Sequence, residues 1–294
     1  MNEIVAPRTL AVVRCGDASL HPSWALSAQT VDVAVSYFGN DAGRSFPEAR
    51  YVHQLKAGKW DGIHDFFRAN PEALERYDYF WFPDDDIAMD SAQVDALIDL
   101  GIVHGLDLWQ PALDRDSYYG HAITLAMPGV ALRYTNFVEI MAPVLSRRLL
   151  ADTLALLGST RSGFGLDYYW AQRVRAMRGG ATDGVAIVDA VTMTHTRPLG
   201  QVLRKVVDSG GGLTTREEYR HILGRVRHRN PLFRSMGMAI PRKRHYAIRT
   251  TAGGVVAPWR MIGAVLGDTL GRGVPRKQRV STWLTLRYVA TAFF

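Results

Sequence analysis

Three consecutive aspartates, Asp84-Asp85-Asp86, follow the apolar run Tyr79-Phe80-Trp81-Phe82-Pro83. Adjacent carboxylates repel one another and need a cation or a solvated loop. A hard divalent ion that prefers oxygen ligands, Mg²⁺ or Mn²⁺, shared with a diphosphate, meets that need. Two later segments carry complementary groups. Ser162-Gly163-Phe164-Gly165-Leu166-Asp167-Tyr168-Tyr169-Trp170 holds two glycines, which let another group approach the backbone closely. Its Asp167 stands at a helix start, where the dipole favours the anion by roughly 0.3–1 kcal/mol. Met193-Thr194-His195-Thr196-Arg197-Pro198 supplies His195, an imidazole able to join carboxylates on a metal. Each has an ordinary reading too: Asp167 as a helix cap, His195 as a hydrogen-bonded strand-end residue.

Other residues qualify with less force. Lys56 and Lys59 could meet phosphate as mobile point charges. Glu139 sits in an apolar setting, where a carboxylate is costly without a partner. It is a candidate for binding hydroxyl groups or for serving as a base. Trp109, His121, Tyr168 and Trp170, with Tyr118, Tyr119 and Tyr169, could form an aromatic platform for a sugar, although core packing accounts for such residues as readily.

These groups need elements to hold them. Apolar runs predict strands over Thr9–Arg14, Val31–Phe38, the acidic segment, Asp107–Leu113, Ala122–Met127, Ala131–Ile140 and Val185–Val191. Helical periodicity predicts helices over Ile63–Asn70, Ala92–His104, Val144–Leu157 and Asp167–Met177, with Pro71 opening another and Ser91 as a cap. Lys56 to Gly62 reads as a loop. Alternating strands and helices indicate an α/β sandwich, and acids at a strand's carboxyl end lie where open α/β sheets bind ligands.

The chain has 294 residues, one cysteine (Cys15) and a net charge of +7. A lone cysteine excludes a disulfide framework and fits a reducing compartment. No basic-then-apolar leader is read at the start, and the most apolar stretch, Ala252 to Gly271, is broken by Arg260 and Asp268. The charge divides unevenly: residues 1–199 carry 17 basic and 24 acidic side chains, residues 200–294 carry 18 and 4. The tail's helical pieces include Thr215–Val226 and a final stretch, Ser281–Phe294. That last stretch reads either as an amphipathic surface helix or as one docked on the main domain. A basic solvated surface, anionic lipid and nucleic acid are candidate explanations for the tail's charge, in that order.

A hydrophobic strand ending in Asp-x-Asp resembles the metal-binding signature of GT-A-fold glycosyltransferases. The Gly163–Asp167 loop resembles their acceptor-side loop, and His195 stands where many supply a further metal ligand. The whole pattern, with Lys59-Trp60-Asp61-Gly62 and Phe137 to Pro143, is similar to the uncharacterised domain-of-unknown-function family seven hundred and seven, over roughly residues 8–200. The resemblance implies a GT-A-like, mostly parallel sheet sandwiched by helices over residues 1–200, with a basic, mainly helical extension over 201–294. It implies Mn²⁺ or Mg²⁺ held by Asp84, Asp86 and His195 on the diphosphate of a nucleotide-sugar. Asp84 and Asp85, with Asp17, Asp41, Lys56 and Lys59, would serve the donor. Asp167 would face the acceptor hydroxyl, with retention or inversion open. The expected acceptor is a glycan or lipid-linked sugar, with no nucleic acid. The expected setting is the cytoplasm, with the basic tail on the anionic inner membrane surface. A non-catalytic nucleotide- or carbohydrate-binding module, or another nucleotidyl or phosphoryl transferase, are the alternatives.

Overall fold

The computed structural model describes residues 8–199, 207, 212–225, 243–275 and 282–293. Its strands are β1 (Thr9–Cys15), β2 (Val31–Tyr37), β3 (Ala49–Gln54), β4 (Tyr79–Trp81), β5 (Ile87–Ala88), β6 (Leu108–Leu113), β7 (Val130–Thr135), β8 (Val144–Ser146), β9 (Val185–His195), β10 (His245–Thr250) and β11 (Val255–Val256). The main sheet runs β11-β10-β7-β9-β6-β8-β4-β1-β2-β3, with β5 added beside the end of β9. Strands β3, β2, β1, β4, β6, β9 and β10 point one way; β8, β7 and β11 point the other. This is the mixed, mostly parallel α/β sandwich predicted for a GT-A-like chain.

The pleat of β1 shows how the sheet is covered. Ala11, Val13 and Cys15 face one core and Leu10 and Val12 the other, and every residue of the strand is buried. Burial on both faces is what a near-continuous apolar strand requires. On the first face lie α1 (Pro22–Ala25) and α4 (Ser91–Val103), whose Val94, Leu97 and Ile98 reach the sheet. On the second lie α2 (Lys59–Ala69), α3 (Pro71–Arg76), α5 (Arg147–Leu157) and α6 (Leu166–Met177).

Several elements differ from the sequence reading. Helix α2 begins at Lys59, inside the expected loop. The run Val144–Leu157 divides: its first three residues form β8 between β4 and β6, and Ser146 then caps α5 through Leu149 N. Apolar residues in a short strand and a helix look alike by periodicity, so the junction was hidden. Ala122–Met127 contains a 3₁₀ turn, Ala122–Thr124, because the His121 carbonyl accepts from Thr124 N and Oγ1. Strand β7 stops at Thr135 instead of continuing to Ile140. The cap of α4 is Asp90, paired reciprocally with Gln93, and not Ser91.

The described tail is built into this frame. Strand β10 pairs antiparallel with β7, so the sheet extends past residue 200. Helices α7 (Thr215–Arg225), α8 (Ile262–Arg272) and α9 (Thr282–Phe293) follow the same logic. From α9, Tyr288, Val289, Ala292 and Phe293 are buried, and His245 Nε2 donates to the Ala292 carbonyl at 3.0 Å. Residues 226–242 and 276–281, much of the basic tail, lie outside the described residues.

Candidate active site

Strand β4 carries the acids to the carboxyl edge of the sheet. Phe80, Trp81 and Phe82 are fully buried, Phe82 N donates to the Pro143 carbonyl and Asp84 N to the Met141 carbonyl. The chain then turns into β5, which pairs with the end of β9 so that Ile87 lies opposite His195. That register brings Asp86 Oδ2 within 3.3 Å of His195 Nε2. One ligand atom each from Asp84, Asp86 and His195 fits within 4.8 Å of the others. Asp86 and His195 are buried, and His195 Nδ1 has no hydrogen-bond partner among the described residues. Burial pushes the Asp86 carboxyl above the usual range, and the negative charge of Asp84 adds to this while His195 opposes it. Two carboxylates and an imidazole this close, with one acid desolvated, form a donor set that suits a divalent cation.

Lys59 is the built-in cation of the cluster. Its Nζ donates to Asp84 Oδ1 at 2.5 Å, to the Ile140 carbonyl at 2.8 Å and to the Met141 carbonyl at 3.0 Å. All three ammonium protons are therefore engaged, and Lys59 is not the mobile phosphate ligand expected from the sequence. Burial lowers its pKa, and Asp84 pulls it back up.

Asp85 has a different task. Its Oδ2 accepts from Gly16 N at 2.9 Å and its Oδ1 from Arg197 at 3.0 Å, while its carbonyl accepts from Leu20 N. Arg197 also donates to the Ala18 carbonyl. The middle aspartate thus ties the loop after β1 to the segment after β9, and both carboxylate oxygens are occupied. Asp17 and Asp41 lie at the same edge and are exposed. Asp17 accepts from the Tyr37 hydroxyl, Asp41 Oδ1 accepts from Gly43 N, and Lys56 Nζ donates to Asn40 Oδ1.

A second acidic group lies on the other side of the edge. Asp167 opens α6 and Glu139 follows β7 in a loop held by Gln110 Oε1, which accepts from Glu139 N. Both carboxyls are buried. Burial pushes Glu139 up to about 8, helped by the charges of Asp167 and Asp84. Burial pushes Asp167 up to about 7, restrained by Tyr168 N–H and by Lys243. The acid pair is therefore within electrostatic reach of Asp84 in the Asp84–Asp86–His195 cluster. Lys243, two residues before β10, also lies over Phe137 with its Nζ 4.8 Å from the ring centroid.

The glycine loop is fixed by two contacts absent from the sequence reading. Gly163 has φ +72°, and a Cβ there would stand 2.0 Å from Trp60 Nε1. Glu218, buried in α7, accepts from Arg161 N, Ser162 N and the hydroxyls of Thr160 and Ser162. A tail residue thus shapes the loop that leads into Asp167.

Two expected acceptor contacts are corrected. Trp109 is fully buried, with Nε1 donating to the Leu97 carbonyl and its ring beside Tyr79. Trp170 is fully buried against Trp60, 5.1 Å between ring centroids. Both are core residues, because flanking apolar positions on β6 and α6 carry them inward. Tyr168 is also mostly buried, packed on Phe137, and only His121 of the four is partly exposed.

No family model and no curated protein matches the chain, so the resemblance to family seven hundred and seven gains no support. Solved structures do overlap it. Glucosyl-3-phosphoglycerate synthase from Mycobacterium tuberculosis, in complex with Mn²⁺, uridine diphosphate and glucosyl-3-phosphoglycerate, is 14% identical over 81% of this chain and 84% of that one, with a TM-score of 0.44. S. aureus TarS 1-349 in complex with UDP-GlcNAc is 9% identical over 74% and 65%, with a TM-score of 0.43. A mycobacterial protein is 15% identical over 81% and 77%, with a TM-score of 0.43. At these scores the likeness carries no weight for chemistry, which rests on the site's own geometry.

Proposed function

We propose that the chain is a metal-dependent glycosyltransferase, moving a sugar from a nucleotide-sugar to a glycan or lipid-linked acceptor. The observation that carries this is the placement of two different acid groups at one sheet edge: the Asp84–Asp86–His195 triad and the buried pair Glu139 and Asp167. Asp84, Asp86 and His195 would hold Mn²⁺ or Mg²⁺, which when bound neutralises charge on the leaving diphosphate. Asp167, near half-ionised at neutral pH, takes the proton of the acceptor hydroxyl. Glu139 keeps its proton at that pH and donates a hydrogen bond that orients the acceptor. Lys59 holds Asp84, and Asp85 with Arg197 holds the donor-side loops.

The tail's basic excess supports a peripheral position on an anionic inner membrane surface, each charge contributing about 1 kcal/mol. No helix among the described residues is long and apolar enough to cross a membrane. The Lys59–Asp84 pair favours a second reading, a metal-free nucleotide- or sugar-binding module, because it balances one acid internally. Product analysis separates the two. A panel of nucleotide-sugars incubated with Mn²⁺ and no acceptor should show slow hydrolysis to free sugar and nucleoside diphosphate. Cleavage to nucleoside monophosphate and sugar 1-phosphate instead would assign attack at phosphorus, the nucleotidyl or phosphoryl transfer alternative, and an unaltered panel that still binds would assign the module.

A further inference from the structure

Behind the acid pair lies a pocket of about 370 Å³ between the 119–122 segment and helix α9. Tyr119, His121, Lys243, Arg287, Tyr288 and Thr291 supply its polar walls, and no aspartate or glutamate lines it. Lys243 Nζ and His121 Nδ1 are 2.7 Å apart. An ammonium can only donate, so His121 Nδ1 accepts and the ring proton of the neutral imidazole is on Nε2. Burial and the lysine's charge push His121 down to about 3, which keeps it neutral. The remaining two protons of Lys243 have no hydrogen-bond partner among the described residues. Arg287 is exposed on α9 and has no ion-pair partner among them. The walls therefore present hydrogen-bond donors and two cations, a lining suited to an oxyanion.

The pocket adjoins the acids. A Cβ on Gly120, one of its lining residues, would stand 2.8 Å from Glu139 Oε1. Lys243, in the pocket wall, also faces the charges of Asp167 and Glu139, so the cationic space and the acids are neighbours. We propose that the acceptor carries a phosphate group, seated between Lys243 and Arg287, beside the hydroxyl that receives the sugar. The word acceptor rests on the glycosyl-transfer reading; the phosphate site rests on the pocket.

The test is calorimetric titration of the full chain with glycerol phosphate and with glycerol, without metal or nucleotide. The phosphate ester binds saturably and glycerol does not. Arg287→Gln, at an exposed position that leaves folding intact, weakens binding roughly tenfold, as does Lys243→Met, the usual effect of losing one charge-assisted hydrogen bond. Co-sedimentation with phosphatidylcholine vesicles, with and without phosphatidic acid, distinguishes the source of the phosphate. Arg287-dependent capture by the acidic vesicles assigns a lipid headgroup, and binding of the soluble ester alone assigns a soluble acceptor. No binding in either arm, or binding that Arg287→Gln leaves unchanged, overturns the proposal. Failure of the glycosyl-transfer reading would show separately, as nucleotide binding indifferent to metal.

Discussion

Lys59 Nζ lies 2.5 Å from Asp84 Oδ1, so the acid cluster contains its own cation. The same ammonium holds the Ile140 and Met141 carbonyls, which ties α2 to the loop carrying Glu139. Lys59→Met removes the charge and leaves three acceptors without that donor. It should destabilise the fold by about 1–2 kcal/mol, since two backbone carbonyls and a partly exposed acid lose their donor. Chemical denaturation measures this. Added Mn²⁺ should raise the melting temperature of Lys59→Met more than that of the parent chain, because the variant has the greater uncompensated acid charge.

Asp85 and its neighbours should separate cleanly by substitution. Asp85→Asn can keep only one of the Gly16 and Arg197 contacts, because its NH2 cannot accept, and it leaves the Asp84–Asp86–His195 triad untouched. Its coupling to Arg197→Ala in a double-mutant cycle should be about 1 kcal/mol, as the pair is partly exposed. Mn²⁺ affinity by calorimetry should survive in Asp85→Asn and fall in Asp84→Asn and Asp86→Asn.

The buried acids set a pH dependence of both activity and stability. Turnover should rise as Asp167 ionises near pH 7 and fall as Glu139 loses its proton near pH 8, the two values belonging to the pair. For stability the sign is reversed from a salt-bridged acid. Unfolded carboxyls release protons at about pH 4, whereas the folded pair holds them to about 7 and about 8. The native state binds more protons in that window, so stability falls as pH rises through it. Denaturation midpoints at pH 5 and pH 8 should differ less in Glu139→Gln than in the parent.

Gly163→Ala combines a left-handed backbone with a Cβ 2.0 Å from Trp60 Nε1. It should cost about 2–4 kcal/mol, from strain and overpacking together. Trp60→Phe in the same chain should recover part of that loss. Equal melting temperatures of parent and Gly163→Ala would show that the loop is not held as described.

How much of this was legible follows from where each signal resides. The triple aspartate, the glycine loop and His195 could be read because each sits in a short run with its own local logic, and the apolar strands that carry them announce themselves. Lys59 was misread because a lysine's partners are tertiary: its three acceptors come from Asp84, Ile140 and Met141. Trp109 and Trp170 were read as platforms because residue type alone does not give the inward direction of a side chain. Lys243 and Glu218 were missed altogether: the helix over Thr215–Val226 was read but its contact with the glycine loop was not, and the tail's charge masked the strand that returns it to the sheet. The β5–β9 register that brings His195 to Asp86 is equally invisible, because it rests on a single ladder of two residue pairs.

The central claim is that Asp84, Asp86 and His195 hold a divalent ion on a nucleotide-sugar diphosphate. Calorimetric titration with a panel of nucleotide-sugars, with and without Mn²⁺, tests it directly on the parent chain and Asp86→Ala. The account predicts binding of at least one donor that requires Mn²⁺ and weakens roughly tenfold or more in the variant, the scale of a lost charge-assisted contact. Donor affinity that is the same with and without Mn²⁺, and the same in Asp86→Ala, would contradict it.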